Sequence, residues 1–517
     1  MKNKYPLIKF FDYDTEQVMI YDARRNMQFL FPKQDLPKLQ EFMMNGKADG
    51  EMIGTLGLFQ DRGLLLPGPM DRIEDPSEEN IRSRISYFSQ NIFMRKFVLE
   101  VTERCNFRCK YCFNSQIDNN RKHSARQMSL ETAKLSIDYY KKLYTDFYLR
   151  LDDGHRKLLL EQFGPSIGFY GGEPTMNLSV VKESTEYFYS LNWNEFGIPK
   201  NRLSVTVNTN LSFVDLDFIS FLTGHCITLF TSLDGPREYN DSNRIDANGR
   251  GTFDMSYSNL MKIKNADETY FKEKVSVLAV QTDDCDTKAN REFLEGLGCT
   301  IQYLDQSPYG CFVHNPEKKI KELDEICNRW IEDKLAYIEV NKDSNIEKCL
   351  SSLDNLYFLD GILRDLPTSR YIDGTMLSCP MGFDNIMIGV NGDMHICHKT
   401  DGSMPFGNVR SGIDTAKIEN LYRDFINASN CEECRSCWAF HFCPCCGATR
   451  MRNAAFVNPC KEECDYFRKQ AELNFKLFIE VYKKYPYIIT KLLEYKKDLE
   501  HYKSIVDYDE FMSRPVF

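Results

Sequence analysis

The chain predicts an α/β fold organised around a parallel sheet, and three observations carry that expectation. Between residues 96 and 304, six short apolar, β-branched or aromatic runs alternate with stretches whose apolar residues recur every three or four positions, as repeated βα units require. Ahead of them, strand-like runs at 7–11, 17–21 and 28–31 precede a helical stretch at 36–44, which predicts a small α+β domain. Behind them, eight cysteines fall between 431 and 464, a density that suits metal and not ordinary core thiols. The expected domains are therefore 1–90 (α+β), 91–310 (βα units), 311–375 (a helical bridge), 376–470 (cysteine-rich) and 471–517 (a charged, aromatic helical tail).

With 517 residues, 42% of them hydrophobic, the chain can bury a barrel-sized core with satellites. A net charge of -10 disfavours nucleic acid as a partner. No run of 18 apolar residues occurs and the N-terminus has no apolar signal core, so the expected setting is cytoplasmic, away from membranes. Nineteen cysteines in that setting argue for metal and redox centres over disulfides. Cys226, Cys285, Cys299, Cys311, Cys327 and Cys349 lack ligand spacing and read as core or surface thiols.

The expected strands are 96–101, 166–170, 203–207, 227–231, 275–281 and 299–304, with helices at 129–143, 177–191 and 212–222. Directly after the first strand come Cys105, Cys109 and Cys112, spaced C-x3-C-x2-C. Three thiolates can hold three irons of a [4Fe-4S] cluster and leave the fourth iron to a ligand that is not protein. Zinc is the alternative, although a cysteine zinc site normally closes with four ligands. After the second strand stand Gly171, Gly172, Glu173 and Pro174. Two glycines permit close backbone approach, the carboxylate can accept from an ammonium, and the proline stiffens the turn.

In this order, the triad and the GlyGlyGluPro turn resemble the radical SAM superfamily. The resemblance implies a partial (βα)6 barrel with its active site at the C-terminal strand ends. It also implies S-adenosylmethionine on the open iron, cleaved to a 5'-deoxyadenosyl radical by an electron from an external flavodoxin- or ferredoxin-type donor. The implied cofactor contacts are Gly171, Gly172, Glu173, Pro174, Tyr111 inside the triad, Asn208, Asn210, Ser232 and, for the cofactor carboxylate, Arg244. Taken singly, such polar residues read as turns and caps. The run from Ser232 to Arg244, followed by Gly249–Phe253, resembles sulfatase-maturing and peptide-modifying members in particular.

Downstream, Cys379, Gly392 and Cys397 give C-x12-G-x4-C, and Cys434, Cys437 and Cys443 give C-x2-C-x5-C, with Cys460 and Cys464 beyond. This order resembles the SPASM extension, which implies two auxiliary [4Fe-4S] clusters. The motif gives Cys379 and Cys397 to the first cluster. Cys434, Cys437 and Cys443 go to the second, with Cys464 preferred to Cys460 as its fourth ligand. The position of the family's closing cysteine is Gly447 here. Cys446 replaces it, and the last ligand of the first cluster is Cys431, Cys445 or Cys460, or is left open for substrate. A zinc ribbon is the alternative for these knuckle-like spacings.

His398 follows Cys397 where sulfatase-maturing members carry an aspartate. Histidine can act as acid or base near neutral pH, or simply pack. The CysHisLys sequence with Phe406–Val409 resembles maturases of ribosomally made peptides, and the 1–90 domain resembles their leader-recognition element, which binds a precursor by strand addition. A plain structural cap is the alternative. The expected function is a radical SAM/SPASM enzyme that forms a thioether in a ribosomal precursor peptide. Carbon-carbon crosslinking and formylglycine formation are the enzyme alternatives, and a zinc or iron-sulfur interaction or electron-carrier protein is the non-enzyme one.

Overall fold

The computed structural model describes residues 4–25, 27–47, 50–61, 63–112, 114, 122–281, 287–305, 316–343, 380–400, 402–443, 447–458 and 460–488. Expectations about Cys285, Cys311, Cys349, Cys379, Cys445 and Cys446, the Cys327 side chain, the bridge beyond 343 and the tail beyond 488 lie outside the described residues.

The three N-terminal runs form an antiparallel sheet, β1 (Ile8–Asp12), β2 (Gln17–Asp22) and β3 (Met27–Pro32), with Phe10 opposite Ile20 and Met19 opposite Leu30. Alternation of side chains sends Ile8, Val18, Ile20 and Phe31 to one face, against Leu39, Met52 and Leu56 of the following helices Leu36–Asn45 and Gly50–Asp61. Phe11 and Tyr21 cover the other face: Phe11 stacks on Phe475 at 4.4 Å and Tyr21 lies 5.3 Å from Phe442. The linker beyond is sewn to the C-terminal part. The Asn430 side chain accepts from Ile73 N–H at 2.7 Å and donates to the Glu74 carbonyl at 2.8 Å, and Glu74 forms a buried ion pair with Arg84.

The six barrel runs are strands joined in parallel and in sequence order: β4 (Lys96–Thr102), β5 (Ser166–Gly171), β6 (Ser204–Thr209), β7 (Thr228–Ser232), β8 (Val275–Gln281) and β9 (Thr300–Asp305). Their outward faces (Phe97, Leu99, Ile167, Phe169, Val205, Val207, Leu229, Val277) are fully buried under helices such as Leu130–Tyr148. Tyr140 of that helix donates to the Arg95 carbonyl and accepts from Ser166 N–H, fixing it across β4 and β5. The inward face follows from the registers Val98↔Gly168, Glu100↔Tyr170, Gly168↔Thr206, Asn208↔Phe230 and Ser232↔Leu278. On it, Val98, Tyr170, Asn208, Phe230, Ser232 and Leu278 are only half-buried, so the barrel has a lumen that solvent reaches.

Four strands were not anticipated. β10 (Asn385–Ile388) pairs in parallel with β4, and β11 (Asp393–His395), β12 (Gly407–Asn408) and β13 (Gly412–Ile413) continue the sheet antiparallel to ten strands. The cysteine-rich part thus begins as an extension of the barrel sheet. Its closing helix, Lys461–Lys484, buries Ala471, Phe475, Phe478 and Val481 and packs on the helix Pro316–Asn341. Among the described residues, no helix is long and apolar enough to cross a membrane.

Candidate cofactor and cluster sites

The loop carrying Cys105, Cys109 and Cys112 leaves the C-terminal end of β4 and is held from two sides. On one side lies the segment 243–247. Arg108 N–H donates to the Ile245 carbonyl at 2.7 Å, Lys110 N–H to Asn243 at 2.9 Å, and Ala247 N–H back to Asn106 at 3.1 Å. That segment is itself folded by its own polar residues. The Asp241 carboxylate accepts from Thr252 and Phe253 N–H, each at 2.8 Å, and the Thr252 hydroxyl donates to the Arg244 carbonyl at 2.8 Å. On the other side is the GlyGlyGluPro turn. Gly172 N–H donates to Thr102 at 2.8 Å and Glu173 N–H to Arg104 at 2.7 Å. A Cβ on Gly171, at φ 140°, or on Gly172 would collide with those same carbonyls. The glycines are demanded first by the backbone leading to the triad.

Glu173 is fully buried, and its carboxylate accepts from Thr175 N–H and hydroxyl, the Thr209 hydroxyl and Asn210 N–H, the last three at 2.7 Å. Burial raises its pKa while these donors oppose the rise. Asn210 then reaches across: its amide donates to Asn106 at 3.1 Å and lies 3.8 Å from Cys105 Sγ. Glu173 and Asn210 thereby couple the turn to the first cysteine. Asn208 and Ser232 stay on the lumen face.

Beneath the loop, Arg244 donates to the Tyr111 hydroxyl at 2.8 Å, and Tyr111 donates to Asp234 at 2.7 Å. Burial pushes the Asp234 carboxyl up to about 6, against the pull of Arg244 and Tyr111. The Arg244 guanidinium also lies 5.9 Å over the Phe107 ring and offsets the burial that raises the Cys109 thiol. Its buried Nε has no partner among the described residues. Arg244 and Tyr111, expected as cofactor contacts, are bonded to each other here. Burial pushes Cys105 up to about 12, with the Glu173 charge adding to it.

These residues fit an iron cluster. The raised thiols of Cys105 and Cys109 need a metal to become thiolates, and half-buried Cys112 shares their loop, while Phe107 N–H, 3.4 Å from Cys105 Sγ, and the Asn210 amide are donors of the kind that tune cluster sulfurs. Among the described residues no three His, Cys, Asp or Glu side chains converge on the position of a single ion; a cubane takes its thiolates at separate corners.

The lumen sets the expected His398 beside residues that the sequence reading missed. His398 lies edge-on to Tyr170, ring centroids 5.1 Å apart, and Tyr170 is the residue before the glycine turn. Glu100, the register partner of Tyr170, is buried on the same face. A Cβ at Gly389 would stand 3.4 Å from His395 Nε2 and 3.8 Å from Glu100 Oε2, so these two groups share one corner of the barrel. A charged residue in the middle of an apolar strand was the signal available for Glu100.

In the cysteine-rich part, Lys399 N–H approaches Cys397 Sγ at 3.4 Å. Cys431, Cys434 and Cys437 follow one another through the turns around the helix Glu432–Arg435, and hydrogen bonding from Cys434 holds the Cys431 thiol below its ordinary range. Burial pushes Cys464 up to about 12, with the charges of Cys437 and Cys431 acting on it. Cys460 caps the helix Lys461–Lys484, its sulfur accepting from Glu463 N–H at 3.4 Å. Cys443 ends the short helical turn Phe440–Phe442.

Known proteins agree with this architecture. Residues 99–271 match the Radical SAM superfamily and residues 379–438 match SPASM, an iron-sulfur cluster-binding domain. A cysteine-type anaerobic sulfatase-maturating enzyme of Clostridium perfringens is 24% identical over 400 residues, covering 74% of this chain and 92% of its own. The radical SAM cyclopropyl synthase TigE of Paramaledivibacter caminithermalis is 23% identical over 438 residues, covering 81% and 82%. The solved structure of native anSMEcpe with bound AdoMet and Cp18Cys peptide superposes with a TM-score of 0.51 at 19% identity, covering 75% of this chain and 98% of that one. The chain therefore carries a radical SAM domain, which works with S-adenosylmethionine and a [4Fe-4S] cluster, followed by a SPASM domain, which binds auxiliary iron-sulfur clusters.

Proposed function

We propose that this enzyme is a peptide maturase that joins a cysteine sulfur of a ribosomally made precursor to a carbon of another residue, forming a thioether. The observation that carries the reading is the contact of His398 with Tyr170, because it joins the cysteine-rich extension to the lumen beside the glycine turn. When bound, S-adenosylmethionine and the cluster on Cys105, Cys109 and Cys112 supply a carbon radical that removes hydrogen from the nearest substrate carbon. What the chain's own residues do is hold that carbon at the strand ends, keep water away and take up the proton released by a thiol. His398 is the base in this reading, with Glu100 and His395 at the neighbouring corner of the lumen. The lumen's mixture of half-buried Tyr170, Asn208, Phe230 and Ser232 supports a peptide segment as substrate. The outer edge of β3, with Leu30 38% exposed, supports strand addition by a leader. A flavodoxin- or ferredoxin-type donor would supply the electron that cleaves S-adenosylmethionine, and an auxiliary cluster would accept the electron left over when sulfur and carbon join.

Formylglycine formation is favoured by the name of the Clostridium perfringens relative and disfavoured by His398 in place of an aspartate. Co-expression with a short cysteine-rich peptide, where a neighbouring gene encodes one, tests both. The thioether reading expects a product lighter by two hydrogens per link whose linked cysteine resists alkylation. A new aldehyde supports the alternative, and a carbon-carbon link keeps the maturase and refutes the thioether. Deleting residues 1–90 is expected to weaken precursor binding far more than it slows cofactor cleavage.

A further inference from the structure

We propose that the outer surface of the triad loop docks the electron donor, an acidic one-electron carrier protein that rests on Arg104, Lys110 and Lys122. The inference deepens the proposed function, since it rests on the need for an electron from outside. It holds whichever bond is formed in the substrate.

Positive charge is concentrated here although the chain as a whole is acidic. The net charge is -10, yet the segments 103–112, 122–126 and 243–250 expose six cations, Arg104, Arg108, Lys110, Lys122, Arg126 and Arg250. The same segments hold two carboxylates, and both are taken: Arg126 Nε donates to Glu103 and Arg250 Nε to Asp246, each at 2.9 Å. Among the described residues, Arg104, Arg108, Lys110 and Lys122 form no ion pair. Backbone bonds gather the segments into one surface. Lys110 N–H donates to the Asn243 carbonyl at 2.9 Å, Glu103 N–H to Arg126 at 3.0 Å, and Ser124 N–H back to Glu103 at 3.4 Å. One unpaired surface cation is ordinary. Four around one loop of an acidic protein create a local positive potential that steers an acidic partner to it.

The patch also lies over the atoms that need the electron. Phe107 and Cys109 are buried and Cys105 and Cys112 half-buried, whereas Arg104, Arg108 and Lys110 between and beside them are exposed. The loop is thus one layer of chain with its thiols inward and its cations outward. A carrier resting on the cations stands one layer from the cluster those thiols would hold. The substrate lumen belongs to the inward face of the strands, so peptide and carrier do not compete for one surface. A single electron crosses: the carrier is oxidised by one, the cluster is reduced by one, and no bond forms or breaks. Electron-transfer encounters use small, transient interfaces, in which a few charges decide how often partners meet.

Arg108 donates to the Cys105 and Phe107 carbonyls, each at 2.7 Å, and so braces the loop; it is left intact in the test. The full chain, reconstituted anaerobically, is compared with its Arg104→Gln/Lys110→Gln/Lys122→Gln variant, which keeps every backbone bond of the loop. Binding of an acidic flavodoxin is titrated calorimetrically at low and high salt, and 5'-deoxyadenosine is followed with reduced flavodoxin or with dithionite as reductant. The expected result is a flavodoxin dissociation constant about tenfold weaker in the variant, with a shallower salt dependence. At limiting flavodoxin the rate should fall in step, while the dithionite-driven rate stays at the wild-type value. Wild-type flavodoxin affinity in the variant overturns the proposal, and so does an equal loss of both rates, which would place these side chains in the cofactor site. If the triple variant does not fold, Lys122→Gln, outside the cluster loop, replaces it, with a weakening of about two- to threefold expected. Arg150→Gln/Lys157→Gln/Lys200→Gln, at the other end of the barrel, should bind flavodoxin as the wild type does, and an equal loss there overturns the site. Because binding is read apart from cleavage, failure of the docking surface and failure of the cofactor reading are distinguished.

Discussion

The two cysteine regions of this chain differ in how much of their support is directional and comes from a distance. The loop at 105–112 is shaped from a distance, by backbone hydrogen bonds from 243–247 and 172–173 and by the Asn210 side chain. The turns at 431–437 are closed by bonds to residues three and four positions away, and their remote support combines one polar exchange, Met70 N–H donating to the Arg435 carbonyl and Arg435 to the Met70 and Asp71 carbonyls, with apolar packing of Trp438 and Phe442 against Phe11, Tyr21 and Phe475. Hydrogen bonds fix direction, whereas apolar contacts fix only proximity. Held by directional bonds on two sides, the first site should keep its shape without metal better than the second, whose one polar clamp is at Arg435.

Removing the buried cation is the strongest way to break that contrast. Arg244→Met leaves Asp234 buried without its guanidinium and should cost about 3–5 kcal/mol in urea unfolding, with much of the loss recovered in Arg244→Met/Asp234→Asn. A cost under about 1 kcal/mol would mean that the network does not brace the triad loop. Gly171→Ala drives a Cβ into the Thr102 carbonyl at φ 140°. Thermal unfolding should report about 2–3 kcal/mol of destabilisation, with weaker S-adenosylmethionine binding. Stripping iron sharpens the comparison: amides at 431–437 should exchange with deuterium at least about tenfold faster, equivalent to about 1.4 kcal/mol, while those at 105–112 change little. Equal acceleration at both would erase the distinction.

The smallest effect concerns Lys96, half-buried beside Thr206 with its amine lowered from 10.5 to about 8 by desolvation and by Arg95. The unfolded chain binds this proton more tightly than the native state does. Stability should therefore rise with pH from about 8 towards 10.5. Lys96→Met should remove that rise and add about 1 kcal/mol near neutral pH, as read from paired unfolding curves across the window.

The barrel strands were legible because each is a nonpolar run ending at a turn signal, and the triad and glycine turn because their residue types are dictated locally. β10 to β13 were not legible. At two to four residues each they carry too little periodicity, and their pairing with β4 is set by tertiary contact. The roles of Tyr111 and Arg244 were hidden for a similar reason: Asp234, more than a hundred residues from Tyr111, is what joins them. Glu100 and His395 meet only because β11 folds back beside β10, which no spacing announces.

The account rests most directly on the triad as the place where S-adenosylmethionine is cleaved. Wild-type enzyme and the Cys105→Ala/Cys109→Ala/Cys112→Ala variant, both reconstituted and reduced anaerobically, should be compared for 5'-deoxyadenosine by liquid chromatography and mass spectrometry. The wild type should form it, and the variant should form none above background while retaining about two thirds of the iron. Undiminished 5'-deoxyadenosine from the variant would contradict the account.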